Sequence, residues 1–345
     1  TRKESSAASD VYKRQILGQS QHDLAKEQFT LDTLLANLVA SSAIENETIN
    51  VFSLRSSLAQ RLGVTLEQPY PSSDRSEGLA NIMLDVLNDV KQPLTLNRLM
   101  QWHRWLFNDP DWTMHRLRIG QLRGAEPMQV VSGRLDYPKV HFEAPPRQGL
   151  EERLNAFIDW FNQSLNDSLL DPLLRAGITH LWFVTLHPFD DGNGRITRTL
   201  TDLSLAQMDE QSIRLYAMST AILNKRKSYY EILEQTQKND SDITDWLVWF
   251  LDTLNDSLEK TLVQINRTLF KSQFWHKYSN LALSQEQRKV LNRLLDGGEN
   301  GFEHGISASQ YQKVAKTSKA TATRHLSDLL EKGCIVKLEG GGRNT

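Results

Sequence analysis

The sequence predicts a mainly α-helical protein that carries one β-hairpin and ends in a small separate module. Three observations support this. Apolar residues recur at helical spacing through most of the chain. Before residue 280 only the stretch 126–146 offers two short apolar runs joined by turn residues. Near 280 the composition changes again, and the glycine-rich "GGENGFEHG" separates two further helical patterns.

The elements follow in order. Residues 1–15, "TRKESSAASDVYKRQ", lack an initiator Met and are expected to be an artefact or a disordered tail, so the N-terminal helical region is taken as 16–92. Within it Leu31, Leu34, Leu35 and Leu38 form a helical stripe that ends at "SSAIENE". A core region is expected over 93–280, opening with the helix "PLTLNRLMQWHRWLFN" at 93–108. The hairpin follows, with strands Met128 to Val131 and Val140 to Phe142 and with Ser-Gly and Tyr-Pro between them as turn chemistry. A two-stranded ribbon has little core of its own. It must lie on the helices, or offer the edge Gln129, Val130 and Val131 to an extended partner segment. Leu150, Leu154, Phe157, Ile158 and Phe161 mark the next helix. "DPLLRAGITHLWFVTL" reads as a buried helix with Leu174, Ile178 and Leu181 on one side. After "HPFDDGNGR" (187–195) the helical pattern resumes in "ITRTLTDLSLAQ", and 242–271 reads as one long helix starting near Asp242.

The last region, 281–345, contains "SASQYQKVAKTSKATATRHLSDLLEKGCIVKLEGGGR". It reads as helix, short turn, helix, strand and glycine turn, which is a winged helix-turn-helix. The first short helix begins at Ser307 or Ser309; the second is capped by Ser318 or Thr321 and stopped by Gly333. The strand "CIVKL" would lead into a second wing strand that lies beyond this sequence, so the wing is expected to be truncated.

With 345 residues the chain can bury a sizeable core and form two or three domains. A net charge of −2 argues against nucleic-acid binding by the whole chain, yet residues 313–345 hold seven Lys or Arg against three acids. The C-terminal module is therefore expected to bind either DNA or a protein. The single Cys334 excludes an intramolecular disulfide and suits a reducing cytoplasm. No apolar run approaches the roughly 20 residues of a membrane span, and no membrane association is expected.

The chemistry concentrates in "HPFDDGNGRITR", 187–198. Gly192 and Gly194 let the backbone approach an anion, and a helix starting there turns its free N–H groups and its dipole toward that anion. Arg195 and Arg198 lie three apart on that helix and share a face, so both can grip outer phosphates. Asp191 is placed to hold Mg²⁺ against the same phosphates. His187, with an ordinary pKa of about 6.5, suits a general base.

This motif resembles the Fic-domain signature at every defined position: His187, Phe189, Asp191, Gly192, Asn193, Gly194, Arg195 and Arg198. The resemblance extends over roughly 20–345. It implies a Fic-type helical core with the hairpin as a target-docking flap. It also implies an enzyme, a protein adenylyltransferase that moves AMP from ATP to a Ser, Thr or Tyr hydroxyl of a protein. His187 would deprotonate that hydroxyl, Asp191 would hold Mg²⁺, and Asn193 with the backbone of Gly192 and Gly194 would bind the α and β phosphates. Arg195 would take the β and Arg198 the γ phosphate, while Phe189 would anchor the loop in the core.

Ser41, Glu45 and Asn46 fit the family's inhibitory motif, which implies that Glu45 pairs with Arg198 and leaves ATP in an unproductive pose. In some members the same glutamate removes AMP from modified targets, and family members often self-associate, so a homodimer enters as an expectation. Adenine contacts are expected near "SYYEI", where Tyr229 or Tyr230 would stack on the base unless they belong to the core. Two readings compete with AMP transfer. One is a DNA-binding regulator whose core senses nucleotide without turnover, and the other is transfer of a different phosphate-containing group.

Overall fold

The computed structural model describes residues 23–108, 117–134, 137–209, 217–238, 242–297, 302 and 305–338. Expectations for 1–15 and for the wing beyond Leu338 fall outside them. The chain groups into two compact units, one running through Glu259 and the other starting at Lys260. The first ends within the predicted long helix rather than at its close.

In the first unit the N-terminal region forms α1 (Asp23–Ile44), α2 (Val51–Leu62) and α3 (Asp74–Asn88), followed by α4 (Leu96–Leu106). Their starts are set by side-chain caps: Asn50, Ser73 and Thr95 each accept from backbone N–H groups of the following first turn. The apolar faces of these helices meet α5 (Leu150–Gln163), α6 (Pro172–Leu186) and α7 (Asn193–Asp209). Together they enclose Leu31, Leu34, Leu58, Met83, Trp102, Phe157, Phe161, Phe183 and Leu200, all 2% exposed or less. Each such side chain contributes about 1.5–3 kcal/mol of burial.

A second cluster joins Ile44, Ala176, Leu181, Leu205 and Ile222 to Tyr229, Trp246 and Phe250. It brings in α8 (Met218–Asn224), α9 (Arg226–Lys238) and the start of α10 (Thr244–Lys277). Helix α6 lies between the two clusters and starts with Asp171 as cap and Pro172 in its first turn, where a missing N–H costs nothing. Of its expected stripe only Leu181 is buried; Leu174 and Ile178 are half-buried, because the α10 and α7 faces instead cover Gly177, Thr179, His180 and Phe183. A methyl group on Gly177 would come within 2.9 Å of Leu247, so the glycine is what lets these helices approach.

The hairpin forms as β1 (Gln129–Arg134) and β2 (Tyr137–Glu143), antiparallel, with an irregularity between Val130 and Val131. Both expected turn dipeptides lie inside the ladder, where Ser132 pairs with Lys139 and Gly133 with Pro138. Strand pairing runs past them because Gly and Pro are tolerated in edge strands. Strand β2 packs toward α9, and the His141 Nδ1 to Glu234 Oε2 contact of 2.6 Å ties the two.

The second unit contains α11 (Gln285–Asp296), α12 (Ala308–Ala315) and α13 (Lys319–Glu331) around Val290, Leu291, Tyr311, Ala322, Leu329 and Cys334. Ser307 and Ser318 are the caps, and Gly333 at φ 67° ends α13 through bonds back to its last turn. A tight turn at Lys316 joins α12 to α13, and the predicted strand over 334–338 is not one. A strand needs a partner to pair with, and no described residue supplies one. No helix among the described residues is long and apolar enough to cross a membrane.

Candidate active site

The site is built on the turn between α6 and α7. His187 closes α6 at φ 48°, ψ 58°, a left-handed conformation that is costly for a residue with a side chain and must be held by its surroundings. Buried Arg123 supplies the hold. Its Nε donates to the His187 carbonyl at 2.8 Å, its Nη2 to the Pro145 carbonyl at the base of β2, and its backbone N–H to Pro188 O at 2.9 Å. The His187 ring bonds through Nδ1 to the Val184 carbonyl at 3.2 Å. Since a carbonyl only accepts, Nδ1 carries the proton and Nε2 keeps its lone pair. Burial, aided by the Arg123 charge, pulls the imidazole pKa below its usual value and outweighs Val184, Glu45 and Asp191, which favour the cation. The ring is therefore neutral near pH 7, with one nitrogen free to take a proton.

The rest of the loop is clamped from inside. Phe189 is fully buried and packs against the His103 ring at 4.3 Å, as its expected anchoring role requires. Asn193 holds the Phe189 backbone at both ends: Oδ1 accepts from its N–H and Nδ2 donates to its carbonyl, each at 2.9 Å. The Asn193 side chain thus braces the loop's own backbone, while its main chain opens α7. Gly192, at φ 79°, passes so close to α4 that a methyl group would sit 2.7 Å from Leu106 and 2.9 Å from Phe107. His103, which sequence reasoning missed, accepts from Gly120 N–H at 2.9 Å and donates to the Asp191 carbonyl at 3.2 Å. Burial pushes its pKa down to about 4, so this bridge stays neutral.

Both motif arginines are buried and meet carboxylates from the end of α1. Arg198 donates through Nε to Ser41 Oγ, and through Nη2 to Ser41 O and Glu45 Oε1, all at 2.8 Å. The Glu45 carboxylate lies over the glycine turn, since a methyl group on Gly194 would fall 2.2 Å from Oε1. Burial alone would raise the Glu45 pKa; Arg198, with Arg195 and Arg226, more than cancels it and holds the carboxyl ionised. Arg195 donates from Nη1 to Glu47 Oε2 at 2.7 Å and lies over the Phe107 ring. Asn46, left-handed at φ 61°, makes both contacts reachable: Glu47 N–H bonds to Ser42 O and Asn46 N–H to Ala43 O, each at 3.0 Å. This is a Schellman turn with asparagine in glycine's usual place.

On the two motif arginines, three buried guanidinium nitrogens have no hydrogen-bond partner: Arg195 Nε, Arg195 Nη2 and Arg198 Nη1. Unsatisfied buried donors are uncommon and call for a ligand or water. Asp191 is about half-exposed, its Oδ1 bonded to Gly192 N–H at 2.5 Å and 3.8 Å from Arg195 Nη2. No group of three or more His, Cys, Asp or Glu side chains among the described residues could hold a metal ion. A hard divalent ion at Asp191 would draw its remaining ligands from water and phosphate oxygens, the usual arrangement for Mg²⁺.

The adenine expectation divides. Tyr229 is 2% exposed, bonded to His180 Nε2 at 2.9 Å and packed on Trp246 and Trp249, so it belongs to the core and cannot stack on a base. Tyr230 is 37% exposed, and its hydroxyl reaches Ile44 O at 3.3 Å and Glu45 Oε2 at 3.5 Å. On the hairpin Val131 is 50% exposed and Gln129 lies at the surface, while Val130 is half-buried; among the described residues β1 pairs with β2 alone.

Comparison with known proteins agrees with this geometry. The Fic/DOC family model matches residues 93–205, and a domain of unknown function, DUF4172, matches 8–64. The latter begins inside the segment expected to be an artefact or tail. The chain is 25% identical over 186 residues to the protein adenylyltransferase fic-1 of Caenorhabditis elegans, covering 53% of this chain and 34% of that protein. To the protein adenylyltransferase Fic of Nematostella vectensis it is 31% identical over 128 residues, covering 37% and 28%. The chain thus spans about a third of the length of these relatives. Among solved structures, a Fic family protein from Desulfovibrio desulfuricans aligns with a TM-score of 0.52 at 19% identity, covering 93% of this chain and 87% of that one. A Fic domain containing signaling protein from Bacteroides thetaiotaomicron aligns at 0.55 and 18% identity, covering 75% and 94%. The turn at 187–198, the core helices around it and the matched span 93–205 belong together: the chain carries a domain of the Fic/DOC family.

Proposed function

We propose that this protein is an adenylyltransferase that transfers AMP from ATP to a Ser, Thr or Tyr hydroxyl of a protein, and that Glu45 restrains it. The observation that carries this reading is the set of three buried guanidinium nitrogens that lack a hydrogen bond around a glycine turn, next to a neutral imidazole with a free Nε2. In the proposed step Nε2 of His187 takes the hydroxyl proton, the oxygen bonds to the α-phosphorus, and the bond from that phosphorus to the bridging oxygen breaks. Pyrophosphate leaves with the electron pair. Arg195, Arg198 and the first N–H groups of α7 hold the phosphates, so catalysis is positioning plus electrostatic stabilisation. Asp191 would hold Mg²⁺, which when bound neutralises phosphate charge. The β1 edge would receive the target as an added strand. With Glu45 on Arg198 the γ-phosphate loses its cation, which accounts for restraint; removal of AMP by the same glutamate and self-association remain family properties that we extend to this chain only as expectations.

The deciding experiment is intact mass after incubating Glu45→Gly protein with ATP and Mg²⁺. One added AMP supports the reading, while an added phosphoryl or no adduct rejects it. Parallel incubations with α- and γ-labelled ATP separate AMP transfer from transfer of another phosphate-containing group.

A second reading attaches to the C-terminal helices. Residues 308–327 carry four basic side chains, Lys313, Lys316, Lys319 and Arg324, and no acid. We infer that this surface binds duplex DNA through the start of α13.

A further inference from the structure

Glu47 lies outside the inhibitory motif, yet its contacts are as specific as those of Glu45. Oε2 accepts from Arg195 Nη1 at 2.7 Å and from Arg75 Nη2, at the start of α3, at 2.5 Å. Its main chain is fixed by the Schellman turn, and its side chain is only 16% exposed. Glu47 differs from Glu45 in one decisive respect. Glu45 covers Gly194, where phosphate would pass, whereas Glu47 takes only the Nη1 corner of its arginine and leaves Nε and Nη2 buried without a hydrogen bond, with Asp191 Oδ1 3.8 Å from Nη2. A planar guanidinium presents two edges. With one corner pinned and the ring of Phe107 beneath it, the other edge has a single orientation.

We propose that Glu47 is a positioning residue for nucleotide binding: bridging Arg75 and Arg195, it aims the Nε and Nη2 edge of Arg195 at the phosphate chain. The inference rests on the proposed nucleotide site. The opposite role is a second brake, in which the Glu47 charge merely competes with phosphate. The two differ in what matters, because positioning depends on reach and hydrogen bonding, and competition depends on charge.

Two conservative variants separate them. Glu47→Gln keeps the length and an acceptor oxygen but loses the charge. Glu47→Asp keeps the charge but is one methylene too short to hold Arg195 and Arg75 together. Both are made in the Glu45→Gly protein, with ATP affinity measured by calorimetry and AMP incorporation by intact mass. We expect Glu47→Gln to bind ATP within about threefold of the Glu45→Gly parent and Glu47→Asp to bind at least tenfold more weakly, a loss of about 1.4 kcal/mol or more. The apparent KM for ATP should rise in the Asp variant more than kcat falls. Tighter ATP binding by Glu47→Gln, with Glu47→Asp unchanged, would overturn positioning in favour of a brake; equal affinities in all three proteins would overturn both. Absence of AMP transfer by every variant refutes the proposed reaction while leaving the affinity order to decide the role of Glu47.

Discussion

At the scale of single residues, the left-handed His187 gathers the most consequences. Its neutral ring, with Nδ1 on the Val184 carbonyl and Nε2 left to accept a proton, predicts that His187→Ala abolishes AMP transfer while ATP affinity, measured by calorimetry, stays within a few-fold; an alanine variant that still transfers would remove the base assignment. The pKa shift gives a second, signed outcome. A base works when deprotonated, so a pKa drawn down by burial keeps it working below the ordinary imidazole value of about 6.5. The charges facing the ring are Arg123, which lowers its pKa, and Glu45 and Asp191, which raise it. The acid limb of kcat/KM in the Glu45→Gly protein should therefore fall below pH 6.5, since that variant also lacks one of the carboxylates favouring protonation. A limb at or above 6.5 would show that the imidazole is more hydrated in solution than its contacts indicate.

At the scale of elements, the end of α1 is a device for delivering two carboxylates, and Asn46 is its hinge. Only glycine, and to a lesser degree asparagine, takes φ near +60° at low cost; other residues lose about 1–2 kcal/mol there. Asn46→Gly should leave melting temperature and auto-modification close to those of the parent. Asn46→Val should lower the melting temperature by several degrees and raise auto-modification by shifting Glu45 off Arg198, read by melting and by AMP incorporation. A destabilised but still silent Val variant would show that Glu45 keeps its place without the turn.

The same hinge shows where sequence reasoning stops. Ser41 and Glu45 are legible because they fit the inhibitory motif that the family resemblance implies, and their spacing of four residues puts them on one helical face. Glu47 is not, since its meeting with Arg195, 148 positions away, depends on how α1 and α7 pack. His103 and Arg123 are hidden for the same reason: nothing adjacent in "MQWHRWL" or "GQLRGAEP" announces bonds to Asp191 and His187. Helices were readable because apolar periodicity marks the buried face. The hairpin was readable as a hairpin, but its turn was misplaced, because Gly133 and Pro138 are edge-strand residues here rather than turn residues. Tyr229 was ambiguous for a simple reason: a tyrosine whose hydroxyl finds a buried histidine satisfies the same pattern as one that meets a ligand.

At the scale of the whole molecule the two units carry different chemistry, one gathering buried arginines and the other displaying surface cations. In the second unit Lys316, Lys319, Thr323 and Arg324 are exposed at the turn and along α13, whereas Tyr311, Ala322 and Leu329 hold the helices together. Binding of DNA through such a surface is driven by release of counterions, and log K falls with log salt by about 0.9 per phosphate neutralised. Replacing Lys316, Lys319 and Arg324 together by alanine should therefore reduce the salt slope of duplex binding by about 2 to 3 units. Since all three side chains are exposed and none packs in the core of the unit, the variant should melt as the parent does and bind ATP with unchanged affinity. Fluorescence anisotropy with a labelled duplex across a salt series reads the slope directly. A parent protein whose affinity for the duplex is weak and insensitive to salt would assign this basic face to a protein partner instead.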